Sequence, residues 1–292
     1  MITTLCLSLV LAQKADAAAP KMEYPLFLAL DASGAAIVGD QDAPAIVKAT
    51  FDGNVQTLFK ASKQFRTPLN RPRGVAVDGN GDAYVCDPTT MDVYKLGTDG
   101  KPVGLTSRPI KELNGKAGVR GEFIQPEGIA VAADGTVYVA DLRLQTIFKL
   151  PKGSKPPTPL AKVDAPHGMA LDPDGSLVVV SHGESHLVRV KLSDGSVSKI
   201  LAGRLEAKIP PFPLSVARRA DGSYLVTDNY NKCLWAVTPD GKPSIFAQLQ
   251  EFKKVTGVAV AKDGKIAVAD PGSGCVHWLS PDGKIIGRAP KG

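Results

Sequence analysis

Short apolar runs and polar turns alternate along nearly the whole chain, and the runs come in pairs. PRGVAVDGNGDAYVCD (72–87), PEGIAVAADGTVYVAD (126–141) and PHGMALDPDGSLVVVS (166–181) share one grammar. A short run such as GVAV leads to an Asp-Gly turn and then to YVAD-like alternation. Alternation with a period of two marks half-buried strands. Asp-Gly between two such runs is the strongest short-range hairpin signal, and ten Asp-Gly pairs occur in the chain. No segment combines a 3.6-residue period with capping residues, so the pattern predicts an all-β protein.

The grammar recurs. PLSVARRADGSYLVTD (213–228) and VTGVAVAKDGKIAVAD (255–270) are further copies, and PLFLALDASGAAIVGD (25–40) is a degenerate first one. The copies end at Asp40, Asp87, Asp141, Ser181, Asp228 and Asp270, in steps of 47, 54, 40, 47 and 42 residues. After each pair of strands a loop of about five residues leads to a third run such as TIFKL and then a fourth, which fits a propeller blade. The prediction is a six-bladed β-propeller of four-stranded antiparallel blades, at about 25–64, 72–112, 126–164, 166–204, 213–250 and 255–290. Blades arranged in a ring leave only short exposed edges. The last copy carries its own fourth strand, so closure is expected through packing of blade 6 on blade 1, with a borrowed N-terminal strand only if 21–24 pairs there. The segment 107–120, with Asn114-Gly115, reads as a long link, and 152–159 as a rigid turn extension.

GEFIQPEGIAVAADGTVYVADLRLQTIFKL (121–150) resembles the NHL repeat, whose pattern is G-x-F-x-x-P-x-G-[IV]-A-V-D, then D-G-x-[IV]-Y-V-A-D, then an [IV]-x-x-F strand. The resemblance runs over 25–288. It implies the propeller fold and leaves function open, because this fold carries many unrelated activities.

In such blades the Asp-Gly hairpins lie on one face of the ring. The loops between second and third strands, and the links into each first strand, lie on the other. The middle residue of each P-x-G-like triplet begins the innermost strand and borders the central channel. Those positions are Leu26, Arg73, Glu127, His167, Leu214 and Thr256. Arg73, Glu127, His167 and Thr256 are therefore the candidate ligand-binding residues at the channel mouth, with Arg143, His182, Asn229, Tyr230 and Lys232 around the rim of the same loop face. His182, Glu184 and His186 fall in VSHGESH (180–186). A helix would align the i,i+4 pair of histidines, but a loop does not, and they are expected to be exposed. His277 stands where other copies have Tyr94, Phe148 and Trp235, and is expected to pack between blades. The recurring aspartates are expected to accept backbone N–H bonds in the turns that follow them.

The mouth also resembles, in part, that of the gluconolactonase-like six-bladed propellers. Their divalent metal is held by an E-x-P glutamate and by P-x-G residues. Glu23-Tyr24-Pro25, Glu127 and His167 match that arrangement. In the peptidyl-amidoglycolate lyases the zinc ligands are P-H-x histidines, and Pro166-His167-Gly168 is similar to one of them. These resemblances imply a calcium or zinc site made by Glu23, Glu127 and His167, in a metal-dependent hydrolase or lactonase with Arg73 holding substrate oxygens. Neither motif is complete. The leading expectation is a recognition scaffold that uses the loop face and channel mouth to bind a protein, glycan or small molecule.

The remaining features narrow the class. The chain has 292 residues, 43% hydrophobic and 22% charged, with a formal charge of +6. That allows one sizeable core. The Lys and Arg residues are scattered, so RNA binding, known for some NHL domains, is not expected without a steep salt dependence. No run approaches the roughly 18 apolar residues of a membrane span. Residues 5–12, LCLSLVLA, followed by Ala15-Asp16-Ala17, match a secretory signal over 1–18, with 19–292 as a monomeric propeller that is secreted or periplasmic. Cys86, Cys233 and Cys275 would remain, an odd number that argues against a disulfide framework. No G-x-S-x-G, H-E-x-x-H, phosphate loop or CxxC occurs.

Overall fold

The computed structural model describes residues 21–291 apart from 63, 65, 66, 98, 112–116, 154, 155, 184 and 203–211. The signal-like segment and Glu184 lie outside the described residues. The described chain forms six four-stranded antiparallel sheets, each with its strands in chain order. No helix among the described residues is long and apolar enough to cross a membrane.

The innermost strands are Pro25–Leu30, Val75–Val77, Pro126–Val131, Pro166–Asp172, Pro213–Arg218 and Gly257–Val260. They stand side by side in a closed ring around a channel of about 350 Å³, lined by residues of all six. The second strands, such as Val137–Asp141, are buried along their whole length. A strand covered on both faces reads as a near-continuous apolar run, as VYVA and LVVV do here. The core is divided into six clusters, one at each blade interface.

The glycine of P-x-G has a steric cause. A Cβ on Gly128 would lie 1.9 Å from the carbonyl oxygen of His167 in the next blade, and one on Gly74 would lie 2.3 Å from that of Glu127. Gly168 meets the Leu214 carbonyl in the same way, at 2.7 Å. Neighbouring innermost strands thus approach through a missing side chain. Blade 1 has Phe27 at this position, and Gly39 on its partner strand makes the clearance instead, against Arg73.

Among the described residues the ring closes without a borrowed strand. Blade 6 is built entirely from 257–289. The Thr256 hydroxyl donates to the Leu26 carbonyl at 2.6 Å, and Met22 packs into the cluster between blades 1 and 6. The long link after blade 2 contains a two-stranded hairpin, Arg108–Lys111 with Ala117–Arg120, which the strand grammar did not reveal.

The three thiols are free and buried. His277 is buried between blades, with its ring 5.6 Å from that of Phe252 and Nε2 3.5 Å from Asp270 Oδ2. Burial works against the imidazolium, but Asp270 and Cys275 outweigh it and raise its pKa to about 9. Burial likewise opposes the Asp270 carboxylate, which His277 and the Lys253 and Lys254 N–H groups nonetheless hold at about 2.

Two outcomes follow from this packing. Gly128→Ala is expected to lower the unfolding free energy by roughly 2–3 kcal/mol in urea, while Gly79→Ala, whose Cβ would meet nothing within 4 Å, changes it by less than about 0.5 kcal/mol. Equal effects would remove the close-approach explanation. The second concerns pH. A folded pKa raised from 6.5 to about 9 means the His277 contribution is complete below about pH 6.5 and fades as pH rises through 9. Asp270 contributes above its ordinary 3.8 and loses that contribution as pH falls through about 2. The melting-temperature gap between the native protein and His277→Gln should therefore shrink from pH 6 to pH 10, and a constant gap would contradict the pairing.

Candidate functional site

The loop face is organised by the buried aspartate that ends the second strand in five of the six blades, with Ser181 in its place in blade 4. Asp141 accepts N–H bonds from Ile124 and Gln125, in the link into its own blade, and from Arg143 and Leu144, in the turn after it. Asp40 does the same for Glu23, Tyr24 and Ala43. Asp270 does so for Lys253, Lys254, Gly272 and Ser273. Asp228 accepts from Tyr230, Asn231 and the Trp235 indole. These carboxylates are saturated with donors, so they are architecture rather than ligands.

The residue after this aspartate, or after Ser181 in blade 4, is held too. The N–H groups of Gln41, Leu142, His182 and Asn229 donate to the carbonyls of Tyr24, Gln125, Ala165 and Phe212, each just before the proline of its blade. In these blades the residues on either side of the proline, the middle of P-x-G and the residue before it, are thus held in place on the loop face. The pairing of first and second strands shifts at this point in blades 1, 3, 4 and 5. Such bulges re-aim a side chain, here the middle residue.

Arg73, Glu127 and His167 come together as expected. Arg73 Nε lies 3.7 Å from Glu127 Oε2, and Gln125 Nε2 donates to Glu127 Oε1 at 3.1 Å. Burial pushes the Glu127 carboxyl above its ordinary pKa, and the charges of Arg73 and Arg71 and the Gln125 bond oppose that only in part. Burial, then the charges of His182 and Arg73, lower His167 to about 3, so its imidazole is neutral at physiological pH. Among the described residues, Arg73 has Glu127 as its ion-pair partner and its buried Nε has no hydrogen-bond partner.

Other expectations are corrected. Thr256 is fully buried, its hydroxyl committed to closing the ring, and it does not line the mouth. Glu23 is exposed in a separate depression with Gln41, Asp42, Asn70 and Arg71. It is not gathered with Glu127 and His167, and among the described residues no three His, Cys, Asp or Glu side chains converge as metal ligands. The donor set expected for calcium or zinc does not fit, since Glu127 is already engaged by Arg73 and Gln125. His182 and His186 are not exposed loop histidines. His186 is buried on the strand Ser185–Lys191, and His182 is half-buried.

His182 turns inward to the mouth instead. Its ring centroid is 4.1 Å from that of His167, and Nε2 hydrogen-bonds the Pro213 carbonyl. It stands edge-on to Phe212 at 6.4 Å, and Phe212 lies 5.9 Å from Tyr230. Four rings thus run from the channel mouth to the rim across blades 4 and 5. Phe212 is 53% exposed and Tyr230 70%. Arg143 and Lys232 are exposed on the turns of blades 3 and 5, and Asn229 is half-buried beside Tyr230. Phe212 and Gln125 were missed in the sequence; both occupy the position before the proline, which repeats as regularly as P-x-G itself.

No family model matches the chain, and no curated protein matches it. Solved structures do. A gluconolactonase from Xanthomonas campestris superposes with a TM-score of 0.67 at 18% identity, over 88% of this chain and 86% of that one. Virginiamycin B lyase from Staphylococcus aureus gives 0.64 at 12% identity, over 93% and 85%. A chain of a nidogen/laminin complex gives 0.67 at 14% identity, over 86% and 91%. At these identities the likeness establishes the six-bladed propeller fold and nothing about chemistry.

Proposed function

We propose that this protein is an exported NHL-type propeller that recognises a small ligand at the loop-face mouth of its channel, over blades 2 to 5. One observation carries this reading: the unbroken run of rings His167, His182, Phe212 and Tyr230, near the Arg73 guanidinium, whose buried Nε has no hydrogen-bond partner among the described residues. Exposed aromatic side chains in a row are costly to leave in water and are common in ligand sites. On the Asp-Gly face the turn aspartates are spent on their own turns and on lysines, as in Lys95–Asp82 and Lys265–Asp263, and the exposed ring of Phe51 packs on Trp278 rather than in a run of rings. Export is supported by the apolar run at 5–12 and the alanines that follow. The NHL assignment is supported by the motif at 121–150.

The fold neighbours include a lactonase, a lyase and a protein that forms a complex, so the fold does not choose between catalysis and binding. The metal-dependent hydrolase reading lacks support in the geometry of Glu23, Glu127 and His167. The mouth holds a neutral His167 imidazole, the ring of His182 against it, a buried acid and a guanidinium, which suffice to orient a ligand.

A thermal-shift screen of the mature protein against a small-molecule library tests the reading. Compounds that stabilise the native protein are expected to lose most of their shift in Phe212→Ala and in Tyr230→Ala. Both side chains are half-exposed or more, so the variants should fold. Compounds that shift native and variant proteins equally would place binding elsewhere.

A further inference from the structure

The ring run and Arg73 together define more than a place. We infer that the mouth is built for a small aromatic carboxylate, with its carboxylate on Arg73 and its ring among His182, Phe212 and Tyr230. This rests on the proposed recognition site and names its ligand class.

The carboxylate follows from the donors. Arg73, and more weakly Arg71, act on the buried carboxylate of Glu127, which also feels the buried Asp141. Arg73 Nε sits 3.7 Å from Glu127 Oε2, longer than a hydrogen bond, and has no other protein acceptor among the described residues. About a quarter of the Arg73 side chain remains exposed. A planar, partly exposed guanidinium matches a carboxylate in two parallel bonds. Further out, Arg143 and Lys232 are exposed and have no ion-pair partner among the described residues, so the approach to the mouth favours an anion.

The aromatic ring follows from the tilts. His167 and His182 meet at 42°, His182 and Phe212 at 81°, and Phe212 and Tyr230 at 44°. Tilted and edge-on rings present alternating faces and edges. A further aromatic ring adds to such a cluster with the same geometry. The neutral imidazole of His167 separates the two ends without repelling either.

The experiment is calorimetric titration of the mature protein with benzoate, phenylacetate, 3-phenylpropionate and indole-3-acetate, and with the amide of whichever binds best. Glucuronate serves as the non-aromatic acid. At least one aromatic acid is expected to bind, with its amide weaker by about tenfold or more and glucuronate undetectable. Arg73→Gln should remove the preference for acid over amide. Because that change strands Glu127, the double variant Arg73→Gln/Glu127→Gln is measured as well, with melting curves to verify folding. Equal binding of acid and amide overturns the carboxylate assignment and leaves the recognition site standing. Binding of glucuronate in place of the aromatic acids overturns the aromatic assignment. No binding by any aromatic acid overturns the inference, and the recognition reading falls with it only if library hits are also insensitive to Phe212→Ala and Tyr230→Ala.

Discussion

A buried carboxylate that joins two loops is the contact on which this molecule's loop face depends. Asp40, Asp141 and Asp270 each collect N–H donors from the link entering a blade and from the turn leaving its second strand. Without it, the link and the turn would be two independent surface loops with unpaired buried amides, which is costly. With it, the residues flanking the proline of each blade are delivered to fixed positions around the channel. Where Ser181 replaces the aspartate, one hydroxyl does the work with fewer bonds. It donates to the Asp164 carbonyl and accepts from the Gly183 N–H. That is also the blade whose turn swings a histidine against the mouth.

The glycine of P-x-G completes the arrangement. Close approach of neighbouring innermost strands brings the middle residues of successive blades into contact range, so Arg73 reaches Glu127 and influences the titration of both Glu127 and His167. The scaffold is uniform and the chemistry is local. Five blades repeat the same carboxylate, while the middle residues differ, and only blades 2, 3 and 4 place ionisable groups there. This division is why a fold shared with a lactonase, a lyase and a complex-forming protein says so little about what any one member does.

Most of the architecture was legible because hairpin signals are local. Asp-Gly turns and period-two runs reveal the six four-stranded blades, and the face bearing the variable loops follows from strand order alone. The hairpin at Arg108–Lys111 escaped because its strands are short and lack the repeat's grammar. The site was legible in part. The convergence of Arg73, Glu127 and His167 follows from equivalent positions in successive blades. Thr256 occupies such a position too, but whether a hydroxyl faces the channel or bonds a neighbouring carbonyl is a matter of torsion angles, which spacing does not encode. His182 and Phe212 were misjudged or missed for a related reason. Their contact joins a turn in one blade to a link into the next, and no periodicity in the chain brings those two segments together.

The central claim is that the repeat's clamps hold the loop-face mouth as a built site, with Arg73 at one end and Tyr230 at the other. Chemical-shift mapping of the labelled mature protein, titrated with 3-phenylpropionate, tests it most directly. Shifts should concentrate on the Arg73 side-chain N–H and the rings of His182, Phe212 and Tyr230, with the opposite face, including Arg218 and Lys262, unmoved. Shifts centred on the Asp-Gly face, or spread evenly over both, would contradict the account.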